Sequence, residues 1–124
     1  MQFHEFTGEV QHRIEGATQG EAVRATRATL TALGERIAAG EAHDLAAVLP
    51  MEIDWYLTRP DHRNRFDYEG FLERVAERTD STTDEAESIA RAVIDLVAEQ
   101  APAGELDDVR DELPADYAPL FPDD

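Results

Sequence analysis

Gly40-Glu41-Ala42-His43-Asp44-Leu45, followed by Val48-Leu49-Pro50, comes back later in the chain as Gly104-Glu105-Leu106-Asp107-Asp108-Val109, followed by Glu112-Leu113-Pro114. Self-similarity at a fixed spacing is the signature of a duplicated structural unit. The same register pairs Glu21-Ala22 with Glu85-Ala86, Arg27-Ala28 with Arg91-Ala92, Leu30 with Ile94, Leu33 with Val97, and Glu35 with Glu99. Upstream, Phe3, Phe6, Val10 and Arg13 match Tyr68, Phe71, Val75 and Arg78 in a register shifted by one residue. The shift falls in the turn-like stretch Glu15-Gly16-Ala17-Thr18-Gln19-Gly20, where a duplicated unit tolerates an insertion.

Within each copy the apolar residues recur at spacings of three and four, the period of one helix face. Phe3, Phe6, Val10 and Ile14 mark a first helix, which Gly16 and Gly20 end. Ala22, Ala25 or Thr26, Leu30, Leu33 and Ile37 mark a second, with Gly40 in the position of a C-terminal cap. Ala42, Leu45, Val48 and Leu49 mark a short third helix limited by Pro50, and a last turn runs from Met51 to Leu57. In the second copy Asp67 caps a helix bearing Tyr68, Phe71, Leu72 and Val75. Thr82 and Glu85 form a capping box at the start of the longest helix, which carries Ala86, Ile89, Ala90, Val93, Leu96 and Val97. Leu106, Val109 and Leu113 follow Gly104, and Tyr117, Leu120 and Phe121 read as a docked tail between prolines. Alternating strand patterns are missing. The expectation is an all-α fold: two tandem three-helix repeats forming one pseudo-two-fold bundle of about six helices. It is one domain over residues 1–124, with repeat one at 3–57, a linker at 58–66 and repeat two at 67–121.

Phe71-Leu72-Glu73-Arg74-Val75-Ala76-Glu77-Arg78, the Glu-Ala that opens each second helix, the Gly-Glu-x-x-Asp element and the Leu-Pro that closes each unit together resemble the DUF2267 family of prokaryotic proteins. The likeness spans Phe3 to Phe121. It implies a helical fold and carries no assigned activity, cofactor or catalytic residue to this sequence.

Charge narrows the environment. The chain of 124 residues holds 28 Asp and Glu against 11 basic residues, a formal net charge of −17, and every basic residue is Arg. A carboxylate-rich, lysine-free surface suits a cytoplasm rich in salt, where carboxylates hold water and hydrated cations. A haloarchaeal source and weaker folding at low salt follow as expectations. Nucleic acid is an unfavourable partner for such a surface. No apolar run reaches bilayer length, the first residues lack the features of a signal peptide, and cysteine is absent, so a cytoplasmic location without membrane contact is expected.

No constellation reaches catalytic grade. Glu9 and His12 have the Glu-x-x-His spacing of carboxylate-bridged metal sites, but the matching positions hold Arg74 and Glu77. His43 sits with Glu41 and Asp44 at a helix start, where the plainer role of the acids is to complement the helix dipole. Ser81 and Ser88 lack a nucleophile-elbow frame, and there is no Lys for a phosphate loop or Schiff base. Glu9, His12 and His43 stay as metal candidates, and no cofactor is implied. Arg59, His62, Arg63 and Arg65 form a basic linker, read first as pairing with the molecule's own carboxylates and otherwise as a site for a phosphate or an acidic partner. Trp55, Tyr56 and Leu57 are the densest aromatic patch, either packed against the other unit or exposed as an anchor. The leading expectation is a non-enzymatic helical protein–protein interaction module, engaging a protein partner or a second copy through Trp55, Tyr56, Arg59, Arg63 and Arg65. The alternative is a small-molecule or metal-binding protein with a pocket between the two repeats.

Overall fold

The computed structural model describes residues 1–122, leaving aside the side chain of residue 103; the end of the domain expected over 1–124 lies outside the described residues. The chain is all-helical: α1 (Phe3–Arg13), α2 (Gln19–Arg36), α3 (Ala39–Ala46), α4 (Met51–Thr58), α5 (Tyr68–Thr79), α6 (Thr83–Gln100), α7 (Ala103–Glu112) and a 3-10 helix (Ala115–Leu120). That is two elements more than the expected six. Met51–Thr58 is a full helix rather than a last turn, opened by Pro50 at the position before its first residue. Ile53 and Leu57, one turn apart, bury its inner face completely. Gly20 is also re-read: it lies in the first turn of α2, and only Gly16, at φ +77°, makes the break.

Capping explains where the long helices begin. The Thr82 hydroxyl accepts from Glu85 N–H at 3.1 Å while the Glu85 carboxylate accepts from Thr82 N–H at 3.0 Å. Thr18 and Glu21 build the same reciprocal pair on α2. Each cap satisfies N–H groups that a helix start leaves open. Asp67 caps α5, its carboxylate accepting from Gly70 N–H at 2.8 Å.

Buried residues from all eight elements join one apolar cluster. The centre is α2, which packs on α1, α4, α5 and α6. It can do so because Ala22, Ala25, Ala28, Ala32 and Gly34 are all buried and small, letting neighbours approach on several sides. At Gly34 the approach is closest: an added Cβ would fall on the Leu57 carbonyl of α4. Two further pairings bind the halves of the chain. α6 packs on α1 as α2 packs on α5, and α3 meets α7. Arg13 of α1 grips Glu99 of α6 with both guanidinium Nη atoms, at 2.6 and 2.9 Å. Arg78 of α5 grips Glu35 of α2 in the same two-pronged way, at 2.6 and 3.0 Å. The tail docks as expected. Tyr117, Leu120 and Phe121 are buried, and the Tyr117 hydroxyl donates to the carbonyls of Phe66 and Asp67 at 2.8 and 3.1 Å.

Candidate functional site

The segment between α4 and α5 folds across the C-terminal end of α2. Arg63 N–H donates to the Ile37 carbonyl and Asn64 N–H to the Glu35 carbonyl, and the His62 Nδ1 lies 2.6 Å from the Gly34 carbonyl. These contacts satisfy carbonyls that the helix end leaves open. Arg63 takes the left-handed conformation, φ +60°, to make its bond.

This fold-over corrects the pairing expected of the linker. Arg59, Arg63 and Arg65 make no ion pair among the described residues. Arg59 instead lies over the Trp55 ring, 4.4 Å from its centroid, a cation–π contact. Arg63 and Arg65 line a cleft of about 840 Å³ between the two halves, with Arg36, Glu41, Phe66, Asp67, Glu112 and Asp116 among its walls. Three of the carboxylates in its wall accept from backbone N–H groups. Asp67 caps Gly70, Asp116 accepts from Tyr68 N–H at 2.8 Å, and Glu112 accepts from Ala38 N–H at 2.6 Å.

Glu41 lies in the first turn of α3, as expected. One of its carboxylate oxygens, Oε2, is buried without a hydrogen-bond partner. Desolvation first, then the charges of Asp108, Glu112, Asp44 and Glu105, raise its carboxyl above the ordinary range. By contrast, bonds from Thr18 and Thr82 lower the Glu21 and Glu85 carboxyls.

The metal candidates do not come together. Glu9 accepts from Arg13 at 3.0 Å, while His12 is exposed on α1 and His43 on α3. Among the described residues no three His, Asp or Glu converge as a metal site.

Of the two roles the sequence leaves open for Trp55, the structure shows the exposed position. Trp55 is 54% exposed, with Met51 at 76% and Met1 at 53%, and all three border one groove of about 760 Å³ with Phe3, Pro50, Glu5 and Glu52. Tyr56 is half-buried, its ring edge-on to Phe3 at 6.3 Å between centroids.

Two smaller clefts escaped the sequence reading. One, of about 430 Å³ where α2 meets α5, is lined by Arg24, Arg27, Ala28, Thr31 and Arg78. The other, where α6 meets α1, is lined by Arg13, Ser88, Arg91, Ala92 and Asp95. In the register that pairs Leu30 with Ile94, Arg24 falls against Ser88 and Thr31 against Asp95, and those differences are the available signal.

Architecture and surface together define an all-helical domain with an exposed aromatic–methionine groove and arginine-lined clefts between its halves. The family comparison places it: the sequence matches "Uncharacterized conserved protein (DUF2267)" over residues 3–120, and the chain belongs to that family. No curated protein matches it. None of the described helices is long and apolar enough to cross a membrane.

Proposed function

We propose that this chain is one helical domain built from a duplicated unit, residues 3–57 and 67–121 joined by 58–66, and that it serves as a non-enzymatic protein-interaction module in a salt-rich cytoplasm. The duplication has reciprocal support. The first helix of each half packs on the second helix of the other, and each contact carries the same two-pronged Arg–Glu pair, Arg13–Glu99 and Arg78–Glu35. Thr18 and Thr82 open the long helix of each half with the same capping box. The salt-rich setting rests on a net charge of −17 with no Lys.

One observation carries the interaction reading. Of the four large hydrophobic side chains exposed among the described residues, three (Met1, Met51 and Trp55) border a single groove. Exposed Trp anchors and adaptable Met side chains are typical of surfaces that bind other proteins. The rim holds Glu5 and Glu52 in a molecule that is acidic throughout, so the complementary occupant is a helical segment of another protein with an apolar stripe flanked by Arg or Lys. Photo-cross-linking from position 51 in the native host, read by mass spectrometry, tests this. The expected adduct is one segment of that composition. Adducts confined to acidic segments, or scattered over unrelated surfaces, would contradict it.

The clefts between the halves favour a second reading, a small-molecule site. Arg63 and Arg65 in the larger cleft, and Arg24 and Arg27 in the smaller, have no ion-pair partner among the described residues.

A further inference from the structure

We propose that the cleft lined by Arg24, Arg27, Thr31 and Arg78 binds the phosphate group of a small molecule. The inference rests on the second reading above, of a small-molecule site between the halves, and names its location and ligand class.

Acidic residues outnumber basic ones 28 to 11 in this chain, yet three of the five lining residues of this cleft are Arg and none is acidic. Arg24, Arg27 and Thr31 share one face of α2 by their spacing of three and four, and Arg78 reaches in from α5. Glu35 already holds Arg78, at 2.6 and 3.0 Å, which fixes that guanidinium in place. Arg24 and Arg27 are exposed and make no hydrogen bond or ion pair among the described residues, so their donors are open. Two open guanidinium forks, a third held beside them and a hydroxyl match the several acceptor oxygens and double charge of a phosphate.

The other half supplies an internal comparison. Its matching cleft keeps Arg91 and Arg13 but has Ser88 in place of Arg24 and Asp95 in place of Thr31. One cation is lost and one anion gained, so the second cleft opposes a phosphate where the first attracts it.

The larger cleft is the weaker candidate for this ligand. Glu41, Asp67, Glu112 and Asp116 share its wall with Arg36, Arg63 and Arg65.

The test is a titration of the full chain, 15N-labelled and at constant ionic strength, with inorganic phosphate and with glycerol phosphate. Amide shifts locate the site. The expected result is saturable movement confined to α2 and α5 around Arg24 to Thr31 and Arg78. Tighter binding of glycerol phosphate would point to a phosphorylated metabolite, and equal binding to free phosphate; either supports the site. Arg27→Gln should weaken binding about tenfold or more, the loss of one charge-assisted contact. Arg24→Ser with Thr31→Asp should abolish it. Because Arg24 and Arg27 are exposed and unpaired, these variants should fold, which circular dichroism checks. The reverse exchange, Ser88→Arg with Asp95→Thr, should create a second site on α6. No saturable shift at this cleft, or shifts indifferent to all three variants, would overturn the proposal. Saturation at the Arg63–Arg65 cleft instead would overturn it while sparing the broader small-molecule reading. Saturation at neither would remove the support for both.

Discussion

Gly34→Ala offers a severe test of the core geometry, because helix propensity and packing predict opposite signs. In the interior of a helix, Ala for Gly gains about 1 kcal/mol. Here the new methyl would fall on the Leu57 carbonyl oxygen, with the Leu57 carbonyl carbon and Cα both 3.1 Å away. These are backbone atoms of α4, so no side-chain rotation relieves the clash. Restoring ordinary contact requires α2 and α4 to part by roughly 1 Å, a gap that forfeits about a quarter to a half of the dispersion contact across it. Ile53 and Leu57, fully buried on that face, each contribute roughly 2 kcal/mol by burial. Their loosened packing costs about 1–2 kcal/mol, and the strain of overpacking about 1–3 kcal/mol more. Set against the propensity gain, the net is a loss of about 2 kcal/mol, or roughly 6–10 °C in Tm for a chain of this size. Urea unfolding at fixed high salt, followed by circular dichroism, measures it. Gly8→Ala in α1 is the control: its added Cβ meets nothing within 4 Å, so a gain of about 0.5–1 kcal/mol is expected. A Gly34→Ala protein as stable as the parent would refute the close approach of α2 to α4.

Three further perturbations probe other parts of the account. Thr29 is fully buried with its hydroxyl unpartnered, and Val93 fills the matching position, so Thr29→Val should stabilise by about 1 kcal/mol in the same urea assay. Glu41 has a raised carboxyl, so its ionised form opposes folding. Glu41→Gln should raise Tm at neutral pH, and the gain should vanish as pH falls below the ordinary carboxylate range, where the parent's Glu41 is protonated folded and unfolded alike. Removing KCl should lower Tm, because a net charge of −17 repels itself over a Debye length that grows from about 3 Å at 1 M to about 10 Å at 0.1 M; a Tm that stays flat or rises would remove the halophilic reading.

How much of this was legible in the sequence depends on whether the signal was local. The Thr82–Glu85 cap and the Asp67 cap were readable because both partners lie within one turn. The identical Thr18–Glu21 pattern is masked by Gly20, which stands inside it. A glycine in a first helical turn is tolerable where, as here, nothing packs against it beyond the Thr18 hydroxyl at 4.0 Å. α4 reads as a turn in the sequence because only Ile53 and Leu57 keep its inward spacing, and two positions make a faint stripe. Long-range chemistry was less accessible. Glu35 and Glu99 were visible as matching residues, as were Arg13 and Arg78, but only the folded chain brings each Arg to the other half's Glu. Beside the linker arginines, Asp67, Glu112 and Asp116 are engaged by backbone N–H groups, which no pattern announces.

Trp55 is the chain's single tryptophan, so its emission reports directly on the proposed docking groove. The decisive titration uses a model helical peptide of Leu and Lys with all leucines on one face, and a scrambled peptide of the same composition and charge. The account predicts a saturable blue shift with the first alone, lost in Met51→Glu at unchanged Tm. An equal response to both peptides would reduce the interaction to bulk charge attraction, and no response to either would contradict the groove as a docking site.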